Sequence, residues 1–282
     1  FLLERSEHKL WQKGVWDTTQ CWDPDKGPQG LMIGGKRIKK LDIGENQFCW
    51  RAFRDNDSGL IYLARRDTYD SDIQAIPGFN RDGGLTIIDT KKNADPSDDE
   101  VIAILSQTTS PTLASTNVMD MRFEKAAGDI YIATVDIESG LPNRVGGLTI
   151  IHKDKTAQTY TETGFYDTSS NDTRKLLDNK KALHSSFVLH SLRDEASGDI
   201  FVFEDQAIDV IHKDGFISRV PLKLFKDLPV APANGILWAE YAWLDDKGQI
   251  HVCTGDLGTI GVITLKIAPY EKPKEPEKPK TP

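Results

Sequence analysis

Two copies of an Asn-Arg pair are the first residues here whose types and placement suit chemistry. "NRDGGLTII" spans Asn80 to Ile88 and "NRVGGLTII" spans Asn143 to Ile151. A guanidinium offers a planar fork of donors that grips a carboxylate, a phosphate or a sugar. Arg81 and Arg144, with Asn80 and Asn143, are therefore candidate ligand-binding residues. The same fork can clamp its own loop through an Asp or a backbone carbonyl. Because the pair is copied together with the strand it precedes, that structural reading is the favoured one.

Acids cluster just upstream of both copies. Asp67, Asp70 and Asp72 precede the first pair, and Asp136 and Glu138 precede the second. Alternate carboxylates suit calcium, a hard ion that prefers oxygen, so these three Asp residues are the candidate metal ligands. Their spacing lacks the pattern and the glycine of an EF-hand loop, and a solvated acidic loop is the simpler reading. No other cofactor is indicated. Histidines in "IIHKDK" (His152) and "VIHKDG" (His212) invite a metal site, but Asp89 holds the same place in a third copy. All three fall in turns of different units, which points to turn chemistry.

Asp120, His190 and Glu240 each enter a strand that the repeat described below makes an inner one. They form a candidate polar channel lining, and a carboxylate pair there could do the acid/base work of a glycosidase. No motif picks out a particular pair. Nucleophile-elbow, P-loop and H-E-x-x-H patterns are absent.

The elements that position these residues repeat. "SGLIYLAR", "AGDIYIAT", "SGDIFVFE" and "KGQIHVCT" each place a glycine before an alternating apolar run, and each follows a strand-like segment and a charged turn. That is a hairpin whose turn ends in glycine. The glycines Gly59, Gly128, Gly198 and Gly248 lie 69, 70 and 50 residues apart. A third strand follows each ("GGLTIID", "GGLTIIH", "AIDVIH", "IGVITLK"), and a weaker fourth follows near Glu100, Ala157 and Phe216. Cys21–Ile43 reads as one more, degenerate unit. Repeated antiparallel meanders that cannot bury both faces alone predict an all-β propeller of about five blades, with six an alternative. A strand from the N-terminal "HKLWQKGVW" is expected to close the ring. The propeller spans 1–267, and the Pro/Lys/Glu-rich residues 268–282 form a flexible tail or linker. "SSNDTRKLLDNKKALHSS" (Ser169–Ser186) is the one good helix candidate.

"NVMDMRFEKAAGDIYIAT…GGLTII" (Asn117–Ile151) resembles the propeller repeats of two-component-regulator sensors. The likeness extends over about 21–267 as a repeat pattern. It implies the propeller fold. Such sensors usually have longer propellers and a transmembrane kinase beyond, neither of which is seen, so signalling is not carried over. Tyr62, Tyr131, Phe201 and His251 stand where that family often has Trp.

Composition sets the outer bounds. Of 282 residues, 38% are hydrophobic and 36 are Gly or Pro, which suits many short strands and turns. A net charge of −8 argues against nucleic acid or anionic lipid as the partner. No apolar run is long enough for a membrane span. The chain opens at Phe1 without Met, as a processed export product would. Cys21, Cys49 and Cys253 show no zinc or haem spacing; Cys21 and Cys49 could meet across strands, and buried thiols are the default. The tryptophans gather toward the termini, as a sugar-stacking surface or as packing at the ring seam. Asn56 and Asn171 stand in glycosylation sequons.

The expected function is a non-catalytic binding or scaffold module, secreted, periplasmic or on the cell surface. It would contact a protein or glycan partner through the long loops 65–84 and 134–147, and could be a subunit of a larger surface assembly. A carbohydrate-active hydrolase or lyase and a ligand-sensing domain are the alternatives.

Overall fold

The computed structural model describes residues 22–23, 27–28, 32–33, 36–37, 48–55, 57–66, 84–92, 99–106, 109–115, 117–135, 146–170, 175–205, 207–221, 239–256 and 259–266. All regular structure among them is strand. Two short hairpins come first: β1 (Trp22–Asp23) with β2 (Gly27–Pro28), and β3 (Met32–Ile33) with β4 (Lys36–Arg37). Four antiparallel meanders follow. Sheet A is β5 (Phe48–Asp55), β6 (Leu60–Arg66), β7 (Gly84–Asp89) and β8 (Glu100–Leu105). Sheet B is β9 (Val118–Glu124), β10 (Asp129–Thr134), β11 (Gly147–Ile151), β12 (Ala157–Thr161), β13 (Gly164–Asp167) and β14 (Lys175–Asp178). Sheet C is β15 (Val188–Arg193), β16 (Ile200–Glu204), β17 (Ala207–Ile211) and β18 (Ile217–Pro221). Sheet D is β19 (Ala239–Leu244), β20 (Gln249–Asp256) and β21 (Thr259–Lys266).

The hairpin glycines do what their spacing predicts. Gly59, Gly128, Gly198 and Gly248 have φ of 77°, 76°, 80° and 70°, a region that costs little only for glycine. In the first three sheets the glycine amide closes the turn onto the residue four back: Asp55, Glu124 and Asp194. In sheet D Gly248 closes onto Asp245, three back, so that turn is one residue shorter.

The duplicated "GGLTII" supplies the third strand of sheets A and B, and in sheet B its threonine has a definite job. Thr149 Oγ1 accepts the amide of Ala114, from the segment that leads into β9, at 3.1 Å. In sheet C Asp209 stands at the same register, and its Oδ2 accepts the amide of His184, which leads into β15, at 2.8 Å. In sheets B and C the third strand thus anchors the connector that brings the chain to its own sheet, whereas the Thr86 hydroxyl of sheet A has no hydrogen-bond partner among the described residues. Gly147 is needed for a different reason: a Cβ there would come within 2.2 Å of the Tyr160 carbonyl on β12.

The sheets stack face to face, with β5, β9, β15 and β19 side by side in that order. Tyr62, Ala64 and Leu85 of sheet A pack on Met121, Ile130 and Ile132 of sheet B. Ala133, Leu148 and Ile150 on the other face of sheet B pack on Val188, Val202 and Ile211 of sheet C. Phe201, Phe203 and Val210 of sheet C meet Ala242, Ile250 and Val252 of sheet D. Ile61, Leu63 and Ile88, on the face of sheet A away from sheet B, are also buried. Apolar residues on both faces of a sheet are what radial packing requires, and the described architecture is all-β and propeller-like.

One expectation differs from what is found. The helix expected at Ser169–Ser186 is not formed: Lys175–Asp178 is a strand, and β13 and β14 extend sheet B to six strands. Thr159, Tyr160, Phe165 and Tyr166 favour strand and carry the sheet outward past β12. A helix would need Leu176, Leu177 and Leu183 on one buried face. Only Leu183 is buried, while Leu176 and Leu177 are 48% and 45% exposed. Sheet D has three strands among the described residues, as expected of the last unit, and the N-terminal strand expected to close the ring lies outside them.

Candidate functional site

Near the starts of the innermost strands, polar residues from three sheets converge on His190. Its side chain is fully buried, and Asp120 on β9 is 2% exposed. His190 Nδ1 lies against Asp120 Oδ2. His190 Nε2 accepts the backbone N–H of Ala242, on β19, at 3.1 Å. Arg122, two residues beyond Asp120 on the same strand face, sets Nη2 at 2.7 Å from His190 Nε2 and donates to the Ala242 carbonyl at 2.5 Å. Its Nε stands 3.8 Å from Asp120 Oδ2.

These partners select one tautomer. A carboxylate only accepts, so the proton sits on Nδ1, facing Asp120. Nε2 then serves as acceptor for the Ala242 amide and the guanidinium. A proton on Nε2 would face two donors, with only the Ala242 carbonyl at 3.4 Å to accept it. An imidazole oriented by a carboxylate is the arrangement of a general base. Here the nitrogen that would do the work is covered on both approaches and sealed from solvent. The group joins sheets B, C and D.

Register decides which residues belong to this group. Each inner strand carries one bulged residue near its start: Trp50, Met119, Leu189 and Glu240. The residue after it is Arg51, Asp120, His190 and Tyr241. Counted back from the hairpin glycine, Glu240 aligns with Asp120 and His190. Because the turn of sheet D is one residue shorter, the backbone instead aligns Tyr241 with them and Glu240 with Met119 and Leu189.

A second polar group lies at the same end of the seam between sheets B and C. Asp209 on β17 is fully buried, gripped by Arg219 on β18 through Nε at 2.6 Å and Nη2 at 2.9 Å. Glu204, the last residue of β16, is also fully buried, and neither carboxyl oxygen makes a hydrogen bond within the described residues. Burial and then the Asp209 charge push its carboxyl up to about 9, against weaker pulls from Arg219 and the His184 amide. Glu204 is thus a neutral acid at pH 7, beside the Asp209 carboxyl that Arg219 grips.

The turn histidines behave as turn chemistry predicts. His152 Nδ1 is 3.2 Å from Asp129, and His212 Nδ1 is 3.0 Å from Asp199; each Asp stands at the opening of the second strand in its own sheet. Trp243 stacks on His251 with centroids 5.0 Å apart. Among the described residues no cluster of three or more His, Cys, Asp or Glu is placed to hold a metal ion. Asn80, Arg81, Asn143, Arg144, Asp67, Asp70 and Asp72 lie outside the described residues, as does any Cys21–Cys49 pairing. Cys253 is a half-buried free thiol.

Of the expected site residues, Asp120 and His190 are brought together. Arg122, Glu204, Asp209 and Arg219 were not expected. Asp209 left a readable sign, a carboxylate in "AIDVIH" where both "GGLTII" copies carry Thr. Arg122 left only its place two residues from Asp120.

No family model matches the chain, and no curated protein matches it. Solved structures do resemble it. The extracellular domain of a hybrid two component system from B. thetaiotaomicron aligns over 80% of this chain and 32% of its own, at 12% identity and TM-score 0.39. This chain thus spans about a third of that one. A luciferin-regenerating enzyme aligns over 77% of this chain and 75% of its own, at 15% identity and TM-score 0.41. A gluconolactonase from Xanthomonas campestris aligns over 74% and 69%, at 10% identity and TM-score 0.34.

Proposed function

We propose that this chain is a non-catalytic β-propeller module that works outside the cytoplasm and recognises a protein or a glycan through loops 65–84 and 134–147. What supports the reading most is the engagement of the inner-strand polar residues. Asp120 and His190 are sealed from solvent and satisfied by Arg122 and Ala242. A hydrolase or lyase needs a carboxyl pair open to substrate, and Asp120, one of the two candidate inner-strand carboxyls, is buried and engaged in joining sheets. Binding then falls to the longer loops at the strand ends, which carry Arg81 and Arg144.

The ring in this proposal has about five blades. The degenerate unit Cys21–Ile43, which includes hairpins β1–β2 and β3–β4, supplies the blade between sheets D and A. A strand from the N-terminal residues completes sheet D along β21, an eight-residue strand bonded on one side among the described residues.

The test is a binding screen of the full chain against polysaccharides and secreted proteins, followed by the Arg81→Ala/Arg144→Ala double variant on each hit. The proposal expects at least a roughly tenfold weaker Kd, the loss of about 1.4 kcal/mol. Unchanged affinity for every hit would remove the two loops from the binding surface.

A further inference from the structure

We propose that Glu204 is a proton-controlled latch on the connector that carries the chain from sheet B into sheet C. Residues 179–187 run from the end of β14 to β15, the strand that bears His190. Phe187, at the end of this connector, bridges Val135, and two bonds pin its middle: Leu183 N–H to the Thr161 carbonyl at 2.8 Å, and His184 N–H to Asp209 Oδ2 at 2.8 Å. The second depends on one carboxylate, Asp209, which Arg219 orients from the far side.

Glu204 stands beside that arrangement, fully buried and without a hydrogen bond of its own in the described structure. While it is neutral, Glu204 competes only weakly with Asp209 for the Arg219 guanidinium and the His184 amide. Loss of its proton puts a second carboxylate in a dry site holding one cation and one amide donor. Two adjacent carboxylates cannot both stay ionised there cheaply. The relief open to the group is to let in water, and what water would displace is the His184 contact. The charged groups acting on Glu204 are Asp205 at its own strand end, Asp209 on β17 and Arg219 on β18. His184 lies on the connector with its residue exposed, and sheet B contributes the buried phenols of Tyr131 and Tyr160 to the seam. Only Arg219 is a cation among the groups acting on it, and Asp209 already occupies two of its donors.

The connector contains Lys180 and Lys181, so its opening can be read by trypsin. The experiment compares the rate of cleavage after these lysines in the full chain and in Glu204→Gln, from pH 7 to pH 10. The ratio of the two rates cancels the protease's own pH dependence. With a latch, the ratio rises by up to about tenfold per pH unit above the Glu204 midpoint. A ratio that stays flat over the whole range overturns the proposal. Should Glu204→Gln not fold, Asp209→Ala serves instead: it removes the connector's acceptor, so cleavage should be fast at every pH. Slow cleavage in that variant, equal to the parent at pH 7, would overturn the proposal equally. Neither outcome bears on the loop-binding reading, which rests on other residues.

Discussion

Ala242 donates its backbone N–H to Nε2 of His190 at 3.1 Å, across the seam between sheets C and D. The other nitrogen of the same ring lies on Asp120 of sheet B. One side chain thus ties three sheets together where their inner strands meet. His190→Ala leaves the Asp120 carboxylate buried without its partner, and removing one partner of a buried pair costs about 3–5 kcal/mol. Urea denaturation at pH 7 should show that loss. Asp120→Leu/His190→Leu, which removes charge and polarity together, should recover a good part of it. Equal losses in the single and double variants would mean that packing volume, and not the polar link, holds the seam.

Glu204 predicts an unusual pH profile. Its carboxyl is raised from 4.5 to about 9 in the folded chain. The folded state therefore holds a proton that the unfolded state releases. The stability this contributes is complete below about pH 4.5 and is lost progressively as pH rises toward about 9. At pH 8 the loss amounts to a few kcal/mol, as an order of magnitude. Glu204→Gln should flatten this part of the profile and raise the melting temperature at pH 8 relative to the parent. A variant that melts lower than the parent at pH 8 would mean that the carboxyl is ionised and usefully paired.

Thr149 should matter out of proportion to its size. Thr149→Val keeps the shape but leaves the Ala114 amide without an acceptor, at a cost of about 1–3 kcal/mol. Thr149→Ser keeps the hydroxyl and should cost less. Chemical denaturation of the pair separates the hydrogen bond from the packing.

Two glycines should respond differently to alanine. At Gly147 a Cβ meets the Tyr160 carbonyl at 2.2 Å, so strands β11 and β12 must separate. At Gly248 nothing lies within 4 Å, and the penalty is only that of a φ of 70°, about 1 kcal/mol. Gly147→Ala should be the more destabilising by thermal melt. A ranking in the other order would contradict the close approach of β12.

Much of the scaffold was legible in the sequence because its signals are local. A positive-φ glycine after a charged turn, followed by alternating apolar residues, marks a hairpin wherever it occurs, and all four were found at Gly59, Gly128, Gly198 and Gly248. Ser169–Ser186 misled because three leucines at roughly helical spacing say nothing of whether a neighbour covers them. Leu176 and Leu177 are uncovered, and the chain there pairs with β13. The site was less legible because it depends on register. Asp120 and His190 align by counting from glycine, but the shorter turn at Asp245–Gly248 shifts the count by one and brings Tyr241 to that place. Nothing local shows that Arg122 reaches across to Ala242. Glu204 gives no sign at all: a glutamate at a strand end is ordinary until both neighbouring sheets are in place.

The central claim is recognition without catalysis. The most direct measurement incubates the full chain with each glycan or protein it captures, and follows both binding and product release. The account predicts saturable binding that weakens at least about tenfold in Arg81→Ala/Arg144→Ala, with no product from any captured ligand. Turnover of a captured glycan that disappears in Asp120→Asn, with binding intact, would contradict it.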